Sequence, residues 1–175
     1  MKELFIKYKG VLKFLSVFIG SYVLLTLLYA FYLKSSTTPD SYTKHVSNQV
    51  IYWLNFVGYQ ATSTTNSLNG YIDLFIQNKL IAGIAEGCNA ISIKILFTAF
   101  VVAFAKNLKT TLLFIFSGLI GIYIMNIIRI IILVICIYHF PKYTEPLHSY
   151  IFPGMIYTAV FLLWMLWVKS FKKRA

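Results

Sequence analysis

Three side chains of this 175-residue chain combine a reactive type with a setting that chemistry could use: Cys88 in AEGCNAIS, Arg129 in GIYIMNIIRIIIL and His148 in KYTEPLHSYIF. Cysteine, histidine and arginine together are sufficient for acyl transfer. A thiolate attacks a peptide carbonyl, an imidazole takes and returns the proton, and a guanidinium stabilises the oxyanion. Cys88 is expected in the first turn of a helix, where the positive end of the dipole and unpaired N–H groups favour thiolate. Cys136, inside the apolar run IILVICIYHF, reads as a packing residue. An arginine within an apolar helix costs several kcal/mol on insertion scales, so it takes a partner, a polar cavity or the headgroup region. His148 is one of three histidines; His45 and His139 stay open as alternative bases. Asn89, beside the cysteine, and Asn126, three residues before the arginine on the same helical face, are candidate supporting residues. Glu86 is left out of the catalytic set because a carboxylate beside the thiol opposes thiolate formation. Lys94 faces lipid headgroups or a substrate.

The elements that must hold these residues are membrane helices. With 59% hydrophobic and 12% charged residues the chain has too little polar surface to cover a soluble globule. One domain, 1–175, is expected, with spans at about 11–33, 89–105, 112–139 and 150–168, each near the roughly 20 residues a bilayer requires. The first follows a basic start and lacks a small-x-small cleavage site, so it reads as a retained signal anchor. Pro141 stops the third. Trp164 and Trp167 fit an interfacial belt at the end of the fourth. Counted from Leu112, Arg129 falls about 26 Å along its helix, near the outer boundary of a ~30 Å core. The apolar run of that helix overshoots the core, so the helix either tilts or projects outward.

Charge sets the orientation. Lys2, Lys7, Lys9 and Lys13 precede the first span, Lys106 and Lys109 lie between the second and third, and Lys169, Lys172, Lys173 and Arg174 close the chain. The positive-inside rule puts all of them in the cytoplasm and leaves Cys88, Arg129 and His148 at the outer face. The net charge of +11 is thereby accounted for as topology, and no nucleic-acid partner is expected. Two cysteines are too few for a disulfide framework. No metal cluster, phosphate loop or cofactor motif is present, so none is expected to be bound.

The outer segment, 34–88, is too small for an independent core. It opens with SSTTPDS, a turn. Val46, Val50, Leu54 and Val57 recur at helical spacing and predict an amphipathic helix over His45–Tyr59 lying on the membrane. ATSTTNSLNG reads as a polar loop. YIDLFIQ and LIAGIAEG, separated by Asn78 and Lys79, predict a short β-hairpin. The fold class is therefore an all-α membrane protein: a bundle of about four transmembrane helices with a small extracytoplasmic segment.

GCNAISI, then NIIRI, then LHSY, in that order and each at a helix end, resemble the exosortase/archaeosortase family, most of all the short exosortases of Bacteroidetes-type bacteria. The likeness covers the chain from the second span onward. It departs in two respects: many members have more spans, and the residue after the cysteine is often Ser or Thr where this chain has Asn89. The resemblance implies a cysteine peptidase or transpeptidase of the bacterial inner membrane. It would cleave C-terminal sorting signals of exported proteins through a thioester, with Cys88 as nucleophile, Arg129 as the family arginine and His148 as the histidine. It also implies the partners: exported proteins ending in a short motif, an apolar helix and a basic tail, and an amine acceptor or water to resolve the thioester. The competing expectation is a non-enzymatic membrane protein, an assembly factor or transporter subunit, in which Arg129 pairs structurally and Cys88 is incidental.

Overall fold

The computed structural model describes residues 2–36, 38–66, 69–105 and 107–172, and the side chains of 8–169 within them. Of the basic residues above, Lys106, Lys173 and Arg174 lie outside the described residues, as do the side chains of Lys2, Lys7 and Lys172.

A 34-residue helix, α1 (Lys2–Ser35), leads into α2 (Ser41–Phe56). Asp40 starts α2 as its N-cap, its carboxylate accepting from the amides of Tyr42 at 3.0 Å and Thr43 at 3.3 Å. Val46, Val50 and Leu54 form the expected stripe and are fully buried. They pack against the sheet and α4 rather than on a bilayer, and Val57, past the end of the helix, is exposed. The stripe serves the protein's own core because a sheet lies beneath it.

That sheet has three antiparallel strands in the order β1-β2-β3: Ala61–Asn66, Tyr71–Ile76 and Lys79–Ile84. β1 is the stretch expected as a polar loop. Only Ala61 of it is buried, so no hydrophobic alternation marks it. Its place is set by pairing with β2 and by Asn55, whose amide side chain bonds both backbone groups of Ala61, at 2.7 and 3.0 Å. In β2 the alternation is plain: Ile72, Leu74 and Ile76 point inward. The hairpin turn falls at Gln77 and Asn78, both at positive φ (51° and 62°), one residue before the expected position.

The chain then makes a 3-10 turn (Glu86–Asn89) and enters α3 (Ile91–Ala103). Ala90, at φ 60°, separates the two, so Cys88 is not in the first turn of the helix and the dipole argument for it lapses. At 13 residues α3 is about 20 Å long, shorter than a bilayer core. It sits among α1, α4 and α6 with Phe97, Ala99 and Val101 fully buried. Phe97 lies directly over Gly118, where an added Cβ would come within 2.2 Å of the ring.

α4 (Leu108–His139) is capped by Asn107 and ends before Pro141. Its 32 residues span about 48 Å. The excess length projects rather than hangs free: Ile127, Ile130 and Val134 join Val46, Val50, Leu54 and the inward side chains of the sheet in one core. The chain returns through short turns (Pro141–Tyr143 and α5, Thr144–Pro146) and a π-turn (Leu147–Ile151) into α6 (Phe152–Lys172). Trp167 is buried against Phe114, ring centroids 4.5 Å apart, and Trp164 stacks on Phe100 at 4.3 Å; these tryptophans fill the bundle instead of ringing it. Three stretches are long and apolar enough to cross a membrane: Tyr8–Ser35, Leu108–His139 and Pro141–Lys169. The architecture is that of an all-α membrane protein with one small sheet at one end.

Candidate functional site

Cys88 sits third in the four-residue turn Glu86–Asn89, and the C-terminal end of that turn is held by two side-chain amides. Asn126, fully buried on α4, donates from Nδ2 to the Cys88 carbonyl at 2.8 Å. Asn89 uses its amide three ways. Nδ2 donates to the Tyr29 hydroxyl and to Thr43 Oγ1, each at 3.1 Å, and Oδ1 accepts from the Ile91 amide at 2.9 Å. Thr43 in turn donates to the buried carboxylate of Asp40. α1, α2, α3 and α4 thus converge on the stretch from the Cys88 carbonyl to Ile91. A buried polar group left unpaired costs about 1–3 kcal/mol, which is why so satisfied a network rigidifies what it holds.

Lys94, one turn into α3, bonds the Tyr42 hydroxyl and lies over the rings of Tyr42 and Tyr123, 4.8 and 4.9 Å from their centroids. It faces the outer layer's aromatic residues rather than standing free. Burial raises the Tyr42 phenol above its ordinary 10.0, and Tyr123 and Asp40 add to the effect.

Cys88, Arg129 and His148 line one cleft of about 270 Å³. Its other walls are β3, from Ile81 to Ile84, and the α4 side chains Ile130, Leu133, Val134 and Ile137, with Thr144 at the rim. Arg129 alone among these described residues carries a fixed charge. Its Nε is buried without a hydrogen-bond partner, as is Oδ1 of Asn126 one turn away. No carboxylate lines the cleft, so the guanidinium is held toward an almost wholly apolar hollow that also contains a thiol and an imidazole.

The other histidines lie elsewhere. His139 bonds the Tyr59 hydroxyl at 2.9 Å, and the exposed His45 packs beside Tyr123, with 6.5 Å between ring centroids. Cys136 faces a separate apolar hollow with Phe140, Tyr143 and Leu147. Glu86, the first residue of the turn, is partly buried but does not line the cleft. No group of three or more His, Cys, Asp or Glu side chains converges in a way that could hold a metal ion among the described residues.

The family model of the transmembrane exosortases matches residues 8–167. The chain belongs to that family. Neither a curated protein nor a solved structure matches it. In this exosortase the sequence pattern pointed to Asn89 and Asn126 but not to Asp40, Thr43 or Tyr29, which complete the clamp on the Cys88 turn. Asp40 was within reach as an N-cap ahead of an apolar stripe. Thr43 and Tyr29 carry no local signal. Neither does β3 as a wall of the cleft.

Proposed function

We propose that this exosortase is a cysteine peptidase or transpeptidase that cleaves C-terminal sorting signals from exported proteins at the outer face of a bacterial cytoplasmic membrane. The cleft shared by Cys88, Arg129 and His148 carries the reading, because three separate elements contribute to it the groups that acyl transfer needs. Cys88 loses its proton to His148, and its sulfur attacks the scissile carbonyl. Arg129, whose Nε has no partner within the protein, stabilises the oxyanion as it forms. Collapse of the intermediate breaks the C–N bond, and His148 returns the proton to the departing amine. The thioester that remains is resolved by an amine acceptor or by water.

Taking α1, α3, α4 and α6 as the crossings leaves both termini in the cytoplasm, where the basic residues favour them, and the sheet and the cleft outside. α3 crosses least far and is shielded by the other three. A substrate's apolar helix would lie against the bundle, with its cleavage site just beyond at Cys88.

The test is Cys88→Ala in cells that make C-terminally tagged exported proteins. Unprocessed full-length substrate should accumulate while the level of the membrane protein stays the same. Unchanged processing would sink the reading and favour the non-enzymatic assembly factor.

A further inference from the structure

Four consecutive residues of β3, from Ile81 to Ile84, line the cleft beside Cys88. Side chains of a strand alternate between its two faces, so a cavity against one face meets every second residue. Gly83, which has no side chain, is among the four, so the cleft reaches the backbone of the strand as well as its side chains. β3 ends the sheet, with β2 on one side and no strand on the other. Among the described residues, the backbone of Lys79–Ile84 makes no backbone–backbone hydrogen bond outside its ladder with β2. The ladder itself is irregular at this point: Leu74 faces Ala82 and Phe75 faces Leu80, so Ile81 is an extra residue on the edge strand. Such bulges twist a free edge away from indiscriminate pairing and re-aim it, commonly next to active sites. Ala85, immediately after β3, accepts the Cys88 amide at 2.9 Å, so the turn bearing the thiol continues directly from this edge.

We propose that the free edge of β3 is the peptide-binding site: an extended segment adds to it as a fourth strand and is thereby led to Cys88. The proposal rests on the peptidase reading for the role of the thiol and adds how the peptide is held. The occupant follows from the lining. Polar groups along this wall are backbone groups, which recognise another backbone whatever its side chains. The opposite wall, Ile130, Leu133, Val134 and Ile137, accepts small or apolar side chains, and Arg129 beside it is the one charged group of the lining. Ile81–Ile84 span about 10 Å, enough to align three or four substrate residues.

The full chain, reconstituted in lipid nanodiscs, is treated with acetyl-tetraalanyl chloromethyl ketone. The reagent forms a thioether with a reactive cysteine and releases chloride, and adducts at Cys88 are read by peptide mass. Four analogues each carry one N-methyl group, on each amide in turn. Neighbouring residues of an added strand direct their N–H groups to opposite sides. Labelling should therefore fall about five- to tenfold at alternate positions, and stay within about twofold at the positions between. An equal loss at all four positions, or at none, overturns the strand-edge site. So does labelling of Cys88 by iodoacetamide with none by the peptidyl reagent. The two readings separate cleanly. Alternation together with undisturbed processing in Cys88→Ala cells sinks the peptidase and keeps the edge site, whereas lost processing without alternation does the reverse.

Discussion

The layer made by α2 and the sheet and the bundle made by α3, α4 and α6 bury their apolar side chains in different ways. In the layer of α2 and the sheet, burial falls on one face of an element: Val46, Val50 and Leu54 on α2 and Ile72, Leu74 and Ile76 on β2 point in, while Tyr52, Trp53, Phe56 and Tyr71 are exposed. In the bundle the helices are apolar on every side, and fit comes from shape, with Phe97 over Gly118 and Trp167 on Phe114. Neither could host the site alone. A lipid-facing bundle has no polar mouth, and an outer segment of this size is too small to fold on its own. α4 belongs to both, contributing Ile122 to one core and Ile127 and Ile130 to the other; Asn126 lies between these two stretches, and Arg129 follows within the second. The comparison teaches that the cleft is a property of the seam, where α4 leaves one packing regime for the other.

The largest expected effect is at the seam. Arg129→Gln should slow substrate processing about a hundred- to a thousandfold, the loss typical of removing one oxyanion donor. Thermal unfolding should barely move, because the Nε has no internal partner to lose. A large drop in melting temperature would instead make Arg129 structural. In the outer core, Leu54→Ala should cost about 2–5 kcal/mol and loosen the sheet, seen as faster amide exchange in β2, with the bundle helices still protected. Equal loss of protection in α3 would mean that the two cores are one cooperative unit. Asn89→Ala removes the donor shared by Thr43 and Tyr29 and the acceptor of the Ile91 amide, and should cost about 1–3 kcal/mol, with processing reduced even under conditions where the fold is intact.

The smallest effect is the alkaline limb. Because the folded Tyr42 phenol titrates above 10.0, its contribution is fully present below that pH and is lost as the pH rises past it, where only the unfolded chain readily deprotonates. Tyr42→Phe should flatten the stability decline above about pH 10 relative to the parent chain, measured by denaturant midpoints, and change little at neutral pH.

Much of the fold was legible because hydropathy and periodicity are carried by neighbours in the chain. The α2 stripe, the alternation of β2 and the stop at Pro141 are all local patterns. β1 was not legible: ATSTTN has almost no apolar content, and its conformation comes from pairing with β2 and from Asn55. Nor was the partner of the α2 stripe legible, since a stripe that can meet lipid can equally meet a sheet. The partners of the second half of the overlong α4 were equally hidden, since α2 and the sheet lie far from it in the chain.

By itself, then, the sequence determined that the chain is a membrane protein, because apolar runs of bilayer length admit little else, and it supplied the thiol, guanidinium and imidazole. Tertiary structure decided which of three histidines shares a cleft with Cys88, and that Asn126 holds the carbonyl of a residue 38 positions away. It also put a strand, as well as a face of α4, beside the thiol. The physical reason is the same in each case. A side chain's type and its neighbours in the chain are fixed by covalent order, whereas the partner of a buried polar group is chosen by whichever distant element packs against it.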